Sequence, residues 1–305
     1  MRILLAASTT GLSCAAKRVA LIEAALTGEG HRVQYPVTGL DQVQVDSAPD
    51  VLLAFDFHSL LLAAGTYPAI PAVGYVSAPC IIPNQLSGRR LLAVYPGIDT
   101  EERSLCDNSW IKTVIPPPVD LSTSLFPGPD SGKVITTTGP FLSGAGHRTL
   151  IRALSLLPEE YSAVVSGEEA DYTASDIGRL AEDFGVGHRV KVTASNIGYT
   201  GAVAVAPSLS GEWVFESAGV LMAAGIPLLA SSAGCHRDIV TDGVTGLFHT
   251  AGNHRQLAGQ INHIMGNSGL CSYLSGNAVE YCRSELSTEA VGKKWTAELE
   301  QLCFR

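Results

Sequence analysis

The amino-acid sequence alternates short apolar runs with stretches in which apolar residues recur at helical spacing. Runs such as MRILLAA and VLLAF in the first part of the chain have the length and composition of buried strands. This pattern predicts strands over residues 1–7, 31–35, 51–55, 72–76, 91–95 and 112–115. It predicts helices over residues 14–28 and 59–64, the first of which ends at Gly28.

The same alternation restarts after the segment PPPVDLSTSLFPGPDSG (116–132), which is rich in Pro, Ser and Gly and has neither a helical nor a strand period. That composition is typical of a linker. Beyond it, the pattern predicts strands over residues 133–138, 162–166, 189–193, 203–206, 226–230 and 246–249. It predicts helices over residues 147–157, 174–184, 216–224, 235–241, 253–265 and 287–303.

The regular alternation of strands and helices indicates right-handed βαβ units, which build parallel sheets. Two such sets on either side of a linker predict an α/β protein with two Rossmann-like domains, residues 1–122 and residues 128–286. We expect the two domains to face a central cleft, and a cleft between domains is the default ligand site.

Composition and charge narrow the classes of function. With 46% hydrophobic and 16% charged residues, the 305-residue chain can bury a large core. A formal net charge of −9 argues against stable binding of nucleic acid, which normally needs a basic surface. No apolar run reaches the roughly 18 residues of a membrane span, and the apolar start is too short for a secretory signal.

The seven cysteines are widely scattered, and none forms a C-x-x-C pair. This distribution favours reduced thiols in a cytoplasmic protein over a disulfide framework or a zinc site. The sequence also contains no Walker loop, no G-x-S-x-G and no H-E-x-x-H, so we expect no metal site.

The most informative stretch is PSLSGEWVFESAGVLMAAGIPLLASSAGCHRDIVTDGVTGLF (207–248). Glu212 lies in the turn between a predicted strand and a helix rich in small residues. Ligands of α/β sheets bind at such strand ends, and the free N–H groups at a helix start favour phosphate. The alternative is a well-packed βα unit with a solvated Glu.

This stretch resembles the donor-binding region of glycosyltransferase family 4. The residues that fall on the family pattern in order are Pro207, Ser208, Glu212, Gly225, Pro227, Asp242, Gly243 and Gly246. Three further segments are similar to family motifs: VIPPPVD (114–120) to the domain junction, GPFLSGAGHRTLIRA (139–153) to G-R-L…K-G…L-I-x-A, and DVLLAFDFHS (50–59) to D-V-V-H-A-H-D-W-H. The resemblance covers the second half almost throughout and the first half in patches.

The resemblance implies the GT-B architecture and a retaining, metal-independent transferase that uses a nucleotide-sugar as co-substrate and no other cofactor. It implies that residues 1–122 form the acceptor side and residues 128–286 the donor side. The C-terminal helix, residues 287–305, is expected to pack back onto the first domain. By position in the family pattern, Glu212 contacts the transferred sugar and Ser208 belongs to the donor site.

Three residues depart from the family pattern. The second Glu of the Glu-x7-Glu pair, which holds the ribose hydroxyls in the family, is Val220 here. The Arg and Lys that hold the diphosphate are Pro140 and Ala145. Because a charge-assisted contact contributes roughly 1.5–3 kcal/mol, two losses without replacement weaken donor binding by roughly two to four orders of magnitude.

Other residues of the same segment are candidates to replace the lost phosphate contacts. Ser143, Gly144 and Gly146 form a glycine-rich loop before a helix, and such a loop can hold phosphate through backbone N–H groups. Arg148 is the candidate replacement cation. The alternative for Arg148 is a solvated residue in the first helical turn.

Three further loops supply candidate residues. His58 matches a family His near the donor sugar and reaction centre, and its alternative is a structural cap of the next helix. Gly11 permits close approach of a ligand to the loop after the first strand, and its alternative is a plain βα turn. Gly234 lies in the segment SSAGCHRD, which also contains His236 and Arg237. These two side chains could contact phosphate or a neighbouring subunit, and a plain surface position is an equal alternative.

The sequence therefore predicts a glycosyltransferase in which Glu212 and His58 frame the sugar. The alternative is a non-catalytic GT-B protein, such as a partner subunit, because Pro140, Ala145 and Val220 have lost the usual donor contacts. A weaker alternative is a transferase with an unusual donor or acceptor such as modified DNA. The acceptor stays open, as does assembly with a partner subunit or a second copy.

Overall fold

The structure of the chain, a computed structural model, describes residues 1–7, 13–35, 47–55, 57–75, 91–95, 111–121, 132–194, 201–209, 215–233 and 236–304. These residues form two six-stranded parallel sheets with helices between the strands. The predicted α/β class with two Rossmann-like parallel sheets is therefore confirmed. Contacts divide the chain into a first unit, Met1–Pro118 with Ser287–Arg305, and a second unit, Val119–Leu286.

The first unit holds a sheet of strand order β2-β1-β3-β4-β5-β6. Its strands are β1 (Arg2–Ala6), β2 (Arg32–Gln34), β3 (Val51–Ala54), β4 (Ala72–Tyr75), β5 (Leu91–Tyr95) and β6 (Ile111–Val114). Its helices are α1 (Ser13–Gly28), α2 (Phe57–Thr66) and, from the end of the chain, α9 (Thr288–Phe304).

Helix α9 packs against α1 as part of the first unit. Trp295 is fully buried there, in a cluster with residues of the sheet and of α1. A Cβ at Gly292 would lie 2.7 Å from the carbonyl oxygen of Ala25, so the absence of a side chain lets the two helices approach closely. Thr296 Oγ1 lies 2.8 Å from Nε2 of His31 and adds a polar contact.

The second unit holds a sheet of strand order β12-β11-β10-β7-β8-β9. Its strands are β7 (Val134–Thr138), β8 (Ser162–Ser166), β9 (Val190–Thr193), β10 (Val203–Ala206), β11 (Leu228–Ser231) and β12 (Leu247–His249). Its helices are α3 (His147–Leu154), α4 (Ala174–Asp183), α5 (Phe215–Ala223), α6 (His236–Ile239), α7 (His254–Met265) and α8 (Ser268–Glu285).

Strand β10 shows why the second sheet is buried on both faces. Its residues alternate, so that Val203 and Val205 belong to one apolar cluster while Ala204 and Ala206 belong to the other. This is the two-residue period of a strand between two layers of helices. None of the helices formed by the described residues is long and apolar enough to cross a bilayer.

Side-chain caps set several helix starts. The Thr173 side chain accepts from the Asp176 N–H, and the Asp176 carboxylate accepts from the Thr173 N–H, so α4 begins with a capping box. Asn267 caps α8, a helix that the hydrophobic pattern did not predict. Its buried residues include Ser275 beside Leu274, Ala278 and Cys282, which makes the apolar stripe weak.

The chain passes from the first unit to the second at Pro118–Val119, inside the predicted linker. Val119 is buried in a core cluster of the second unit, and its N–H donates to the carbonyl oxygen of Leu286 at 2.8 Å. Residues 122–131 of the predicted linker lie outside the described residues.

Candidate functional site

The order of the second sheet reverses between β7 and β10. In open α/β sheets, ligands bind outside the carboxyl ends of the strands at such a reversal. Strand β7 ends at Thr138 and is followed by the segment 139–146, called here the glycine loop. Strand β10 ends at Ala206 and is followed by Pro207 and Ser208.

A cavity of about 210 Å³, called here the first cavity, lies at this reversal within the second unit. Its walls come from the ends of β7 and β10, the glycine loop and the starts of α3 and α5. The lining residues are Thr137, Thr138, Gly139, Pro140, Leu142, Ser143, Gly144, Ala145, His147, Asp171, Ala206, Pro207 and Ser217. Because ligand pockets usually enclose about 300–1,000 Å³, this volume suits one part of a larger ligand.

Glycines bring the walls of the first cavity together. Gly146 has a φ of 78°, and a Cβ there would lie 1.9 Å from the carbonyl oxygen of Pro207. The Leu209 N–H donates to the Gly144 carbonyl oxygen at 2.7 Å, which ties the glycine loop to the end of β10. The geometry of the loop therefore depends on the absence of a side chain at Gly146.

The glycine loop leads directly into α3, whose first N–H groups have no acceptor inside the helix. Ser143, however, already donates its N–H to Oδ2 of Asp171 at 2.9 Å. A phosphate at that N–H has to displace a carboxylate. Two of the predicted phosphate contacts, Ser143 and Gly144, thus line the first cavity, with Asp171 as a neighbour that the sequence did not indicate; Gly146 is not among its described lining residues.

Arg148 does not line the first cavity. Its guanidinium carbon lies 5.2 Å from the ring centre of Phe184, and the residue lines a neighbouring cavity of about 600 Å³, the second cavity. None of the described residues that line the first cavity is an Arg or a Lys. The role of Arg148 as a replacement cation therefore stays a prediction.

His147 is a site residue that the sequence reasoning missed. It is 5% exposed, lines both cavities and packs edge-on against Phe141, with ring centres 5.4 Å apart. Neither ring nitrogen has a hydrogen-bond partner among the described residues. Burial lowers the pKa of His147 to about 4, and the Pro140 backbone opposes this shift with a smaller effect. Its place at a helix start after a glycine loop was the available signal.

Ser208 lies behind the cavity wall. Its side chain is fully buried, and its hydroxyl is 3.4 Å from Oγ of Ser231. A donor contact through that hydroxyl stays a prediction. His236 is also fully buried, and its Nδ1 lies 3.1 Å from the Ser231 carbonyl oxygen, so its ring faces inward rather than the surface.

The remaining predicted residues lie where less is described. His58 is the second residue of α2, directly after β3, and its side chain lies outside the described residues. Gly11, Glu212 and Gly234 lie outside the described residues altogether. By sequence, Gly11 and His58 follow β1 and β3, the strands between which the first sheet reverses its order.

The three departures from the family pattern have different surroundings. Pro140 and Ala145 line the first cavity. Val220 is partly buried in α5 and packs against the apolar cluster around Leu221 and Met222. Elsewhere in the described part of the chain, no group of three or more His, Cys, Asp or Glu side chains is arranged to hold a metal ion.

Comparison with protein families assigns the chain. The family model described as glycosyl transferases group 1 matches residues 127–281, just over half of the 305 residues. The chain belongs to the group 1 glycosyl transferases. The first cavity lies inside the matched region of this group 1 transferase. No curated protein sequence matches the chain.

Solved structures of low sequence identity share the fold of this group 1 transferase. HepE from Anabaena in complex with UDP superposes with a TM-score of 0.77 at 16% identity, over 99% of this chain and 100% of HepE. A glycosyltransferase from Rickettsia africae gives 0.76 at 14% identity, over 99% and 98%. Sucrose-phosphate synthase from Thermosynechococcus elongatus gives 0.76 at 15% identity, over 99% of each chain. These similarities confirm the predicted GT-B fold.

Proposed function

We propose that this group 1 transferase moves a sugar from a nucleoside diphosphate sugar to an acceptor with retention of configuration, as the resemblance to family 4 implies. The observation that carries the proposal is the first cavity, which lies at the reversal between β7 and β10. That place in an α/β sheet is the expected ligand site. The cavity is lined by a glycine loop and a helix start, both of which favour phosphate.

The proposed donor occupies the second unit. Backbone N–H groups around Gly144 and Gly146 hold the diphosphate, and Glu212 contacts the transferred sugar. In a front-face reaction the leaving phosphate takes the proton of the acceptor, so no separate protein base is needed. The reaction uses no cofactor besides the donor.

A uridine nucleotide is the first donor to test. Solved structures of HepE, which shares the fold, contain UDP, UDP with glucose, or UDP-glucose. These ligands belong to HepE, and they support UDP-glucose as a probe here. The first unit is proposed to bind the acceptor, whose chemistry stays open.

The second candidate function is a non-catalytic binding protein of the same fold. It is favoured by the walls of the first cavity, where Pro140 and Ala145 replace the family cations and no described lining residue is an Arg or a Lys. The carboxylate of Asp171 adds negative charge to the same walls. Binding and turnover have to be measured separately to distinguish the two functions.

Binding of the donor predicts thermal stabilisation by the correct nucleotide. Because a ligand that binds only the folded state stabilises it by RT ln(1 + [L]/Kd), a hundredfold excess over Kd adds about 2.7 kcal/mol. For a chain of this size we expect a rise of several degrees in melting temperature with one of UDP, GDP, ADP, CDP and TDP. Differential scanning fluorimetry measures it.

Two simpler ligands serve as controls for that panel. Uridine and inorganic pyrophosphate report separately on the base and on the phosphate part of the site. A melting temperature that stays constant across all five nucleoside diphosphates, and with UDP-glucose, contradicts donor binding and with it the proposed function.

If the protein is a transferase, Glu212→Gln is expected to lose transfer activity while it keeps its fold. If the carboxylate of Glu212 stabilises the reacting sugar, its removal lowers the rate by about 10²–10³-fold, while the circular dichroism spectrum stays unchanged. The assay follows nucleoside diphosphate released from the donor, with water as the acceptor. Glu280→Gln, at an exposed position of α8, is the matched control. Normal turnover in Glu212→Gln contradicts the site assignment, and no turnover in the native protein favours the non-catalytic function.

A further inference from the structure

His147 occupies an unusual position between two cavities. It is the first residue of α3 and lines the first and second cavities. Only 5% of its surface is exposed. Both ring nitrogens lack a hydrogen-bond partner among the described residues. Buried polar atoms normally have partners, so this imidazole has the surroundings of a group that a ligand satisfies.

The helix start beside His147 supplies the other half of an anion site. Gly146 precedes α3 with a left-handed φ of 78°, and the positive end of the helix dipole faces the glycine loop. In the described part of the first cavity no Arg or Lys offsets the charge of a diphosphate. Among the described residues that line this cavity, His147 is the one titratable nitrogen base.

We propose that His147 takes up a proton when the donor diphosphate enters the first cavity, and that the resulting imidazolium supplies the positive charge that Pro140 and Ala145 cannot. This inference rests on the proposed function. One proton moves from solvent to a ring nitrogen for each donor bound, and that N–H then donates to a phosphate oxygen. His147 is a binding residue for the donor; no bond to it is made or broken apart from the N–H.

The direction of proton transfer follows from the environment of the ring. In the free protein, burial lowers the pKa of His147 to about 4, so the ring is neutral near pH 7. An anion in hydrogen-bond contact favours the charged form and raises that pKa. If the pKa in the complex exceeds the working pH, binding takes up a proton and the affinity falls as the pH rises.

Several other charged groups of the described residues lie around His147. Asp171 lies on the wall of the first cavity. Arg148, next on α3, lies over Phe184, and α4 contributes Arg179 and three acids to the second cavity. The three acids are Asp176, Glu182 and Asp183. Among the described side chains, α5 contributes the neutral Ser217 to the first cavity, and α7, also packed on α3, contributes none to either cavity.

Calorimetry measures the proton directly on the full chain. UDP-glucose is the probe, or the GDP-, ADP-, CDP- or TDP-glucose counterpart if the nucleotide panel selects another base, because such diphosphate diesters do not titrate near neutral pH. Titrations at pH 6.5 in PIPES and in bis-Tris differ in observed enthalpy by the number of protons taken up, multiplied by the difference between the ionisation enthalpies of the two buffers. We expect uptake approaching one proton per donor, and a Kd that rises up to tenfold per pH unit at higher pH.

His147→Gln keeps a hydrogen-bonding side chain but cannot titrate in this range. We expect this variant to lose proton uptake and the pH dependence of Kd, and to bind about 10- to 100-fold more weakly at pH 6. His263→Gln, at an exposed position of α7, is the matched control and keeps both properties. The native protein gives the decisive measurement even if His147→Gln does not fold.

Each outcome has one meaning. Donor binding without proton uptake overturns the inference and leaves the proposed function intact. Proton uptake that persists in His147→Gln overturns it too, because another group then titrates. If UDP-glucose and its counterparts do not bind at all, the proposed function fails and the inference fails with it.

Discussion

Gly146 illustrates that some residues of the family pattern maintain the shape of a loop rather than contact a ligand. It has a positive φ, and a Cβ there would clash with the Pro207 carbonyl oxygen, so two separate constraints require glycine there. Gly243 also has a positive φ, yet a Cβ there would meet nothing within 4 Å. Asp242 accepts the N–H of Phe248 at 2.9 Å and so serves the turn around Gly243.

The contrast between these glycines predicts different costs of substitution. Gly146→Ala has both an unfavourable left-handed φ and a clash with Pro207. We therefore expect the free energy of unfolding to fall by several kcal/mol, of which backbone strain accounts for about 1–3 kcal/mol. It also displaces the glycine loop and abolishes nucleotide stabilisation. Gly243→Ala, the control, shows only the strain. Urea unfolding measures both variants, and equal losses contradict the role given to Pro207.

At the scale of elements, α9 shows how a helix from the end of the chain completes a distant core. Trp295 lies among Ile22 and Leu26 of α1 and Val291 and Leu299 of its own helix. Thr113 Oγ1 donates to Oε1 of Glu298 at 3.2 Å, which adds a contact between α9 and β6. The fold of the first unit therefore depends on residues that follow the second unit in the chain.

The complete burial of Trp295 predicts that truncating its side chain causes a large loss of stability. Removing a fully buried indole leaves a cavity, and Trp→Ala changes in protein cores cost about 3–5 kcal/mol. We expect Trp295→Ala to lower the free energy of unfolding by that amount in urea titrations, and Trp295→Phe to lower it by less. Lys294→Ala, the neighbouring position on the same helix, is the control. A loss below about 1 kcal/mol in Trp295→Ala contradicts the packing described for α9.

The elements also show what the hydrophobic pattern can and cannot predict. Strand β10 was predicted with its observed bounds because its four residues are apolar throughout and buried on both faces. Helix α8 was missed because its buried residues include Ser275, and because Gly and Ser weaken the helical signal. Tertiary contacts with α5 and α7 stabilise α8 where local propensity does not.

At the scale of the whole molecule, buried histidines connect the fold to pH. Burial lowers the pKa of both His147 and His236 to about 4, whereas an imidazole in the unfolded chain titrates near 6.5. The pKa of His249 is also lowered, mainly by burial. The unfolded state therefore binds protons first as the pH falls below about 6.5.

These lowered pKa values predict that the protein loses stability as the pH falls below about 6.5. The free energy of unfolding stays level above pH 7 for these groups and falls between pH 6.5 and 4, by up to about 1.4 kcal/mol per pH unit for each histidine. Urea titrations at pH 7.5, 6 and 5 test this. His236→Gln flattens the slope, whereas His263→Gln, on the exposed side of α7, does not. A stability that is constant from pH 7.5 to 5 contradicts the burial described for these rings.

The sequence by itself determined the α/β class, the two parallel sheets and the family resemblance, because strand and helix periods and turn residues are local signals. It also indicated the glycine loop and Glu212 as parts of a donor site. Only the tertiary structure decided that Arg148 lies over Phe184, that Asp171 takes the Ser143 N–H, and that His147 lies buried between two cavities. These contacts join residues from different elements, and no local pattern encodes where such side chains meet.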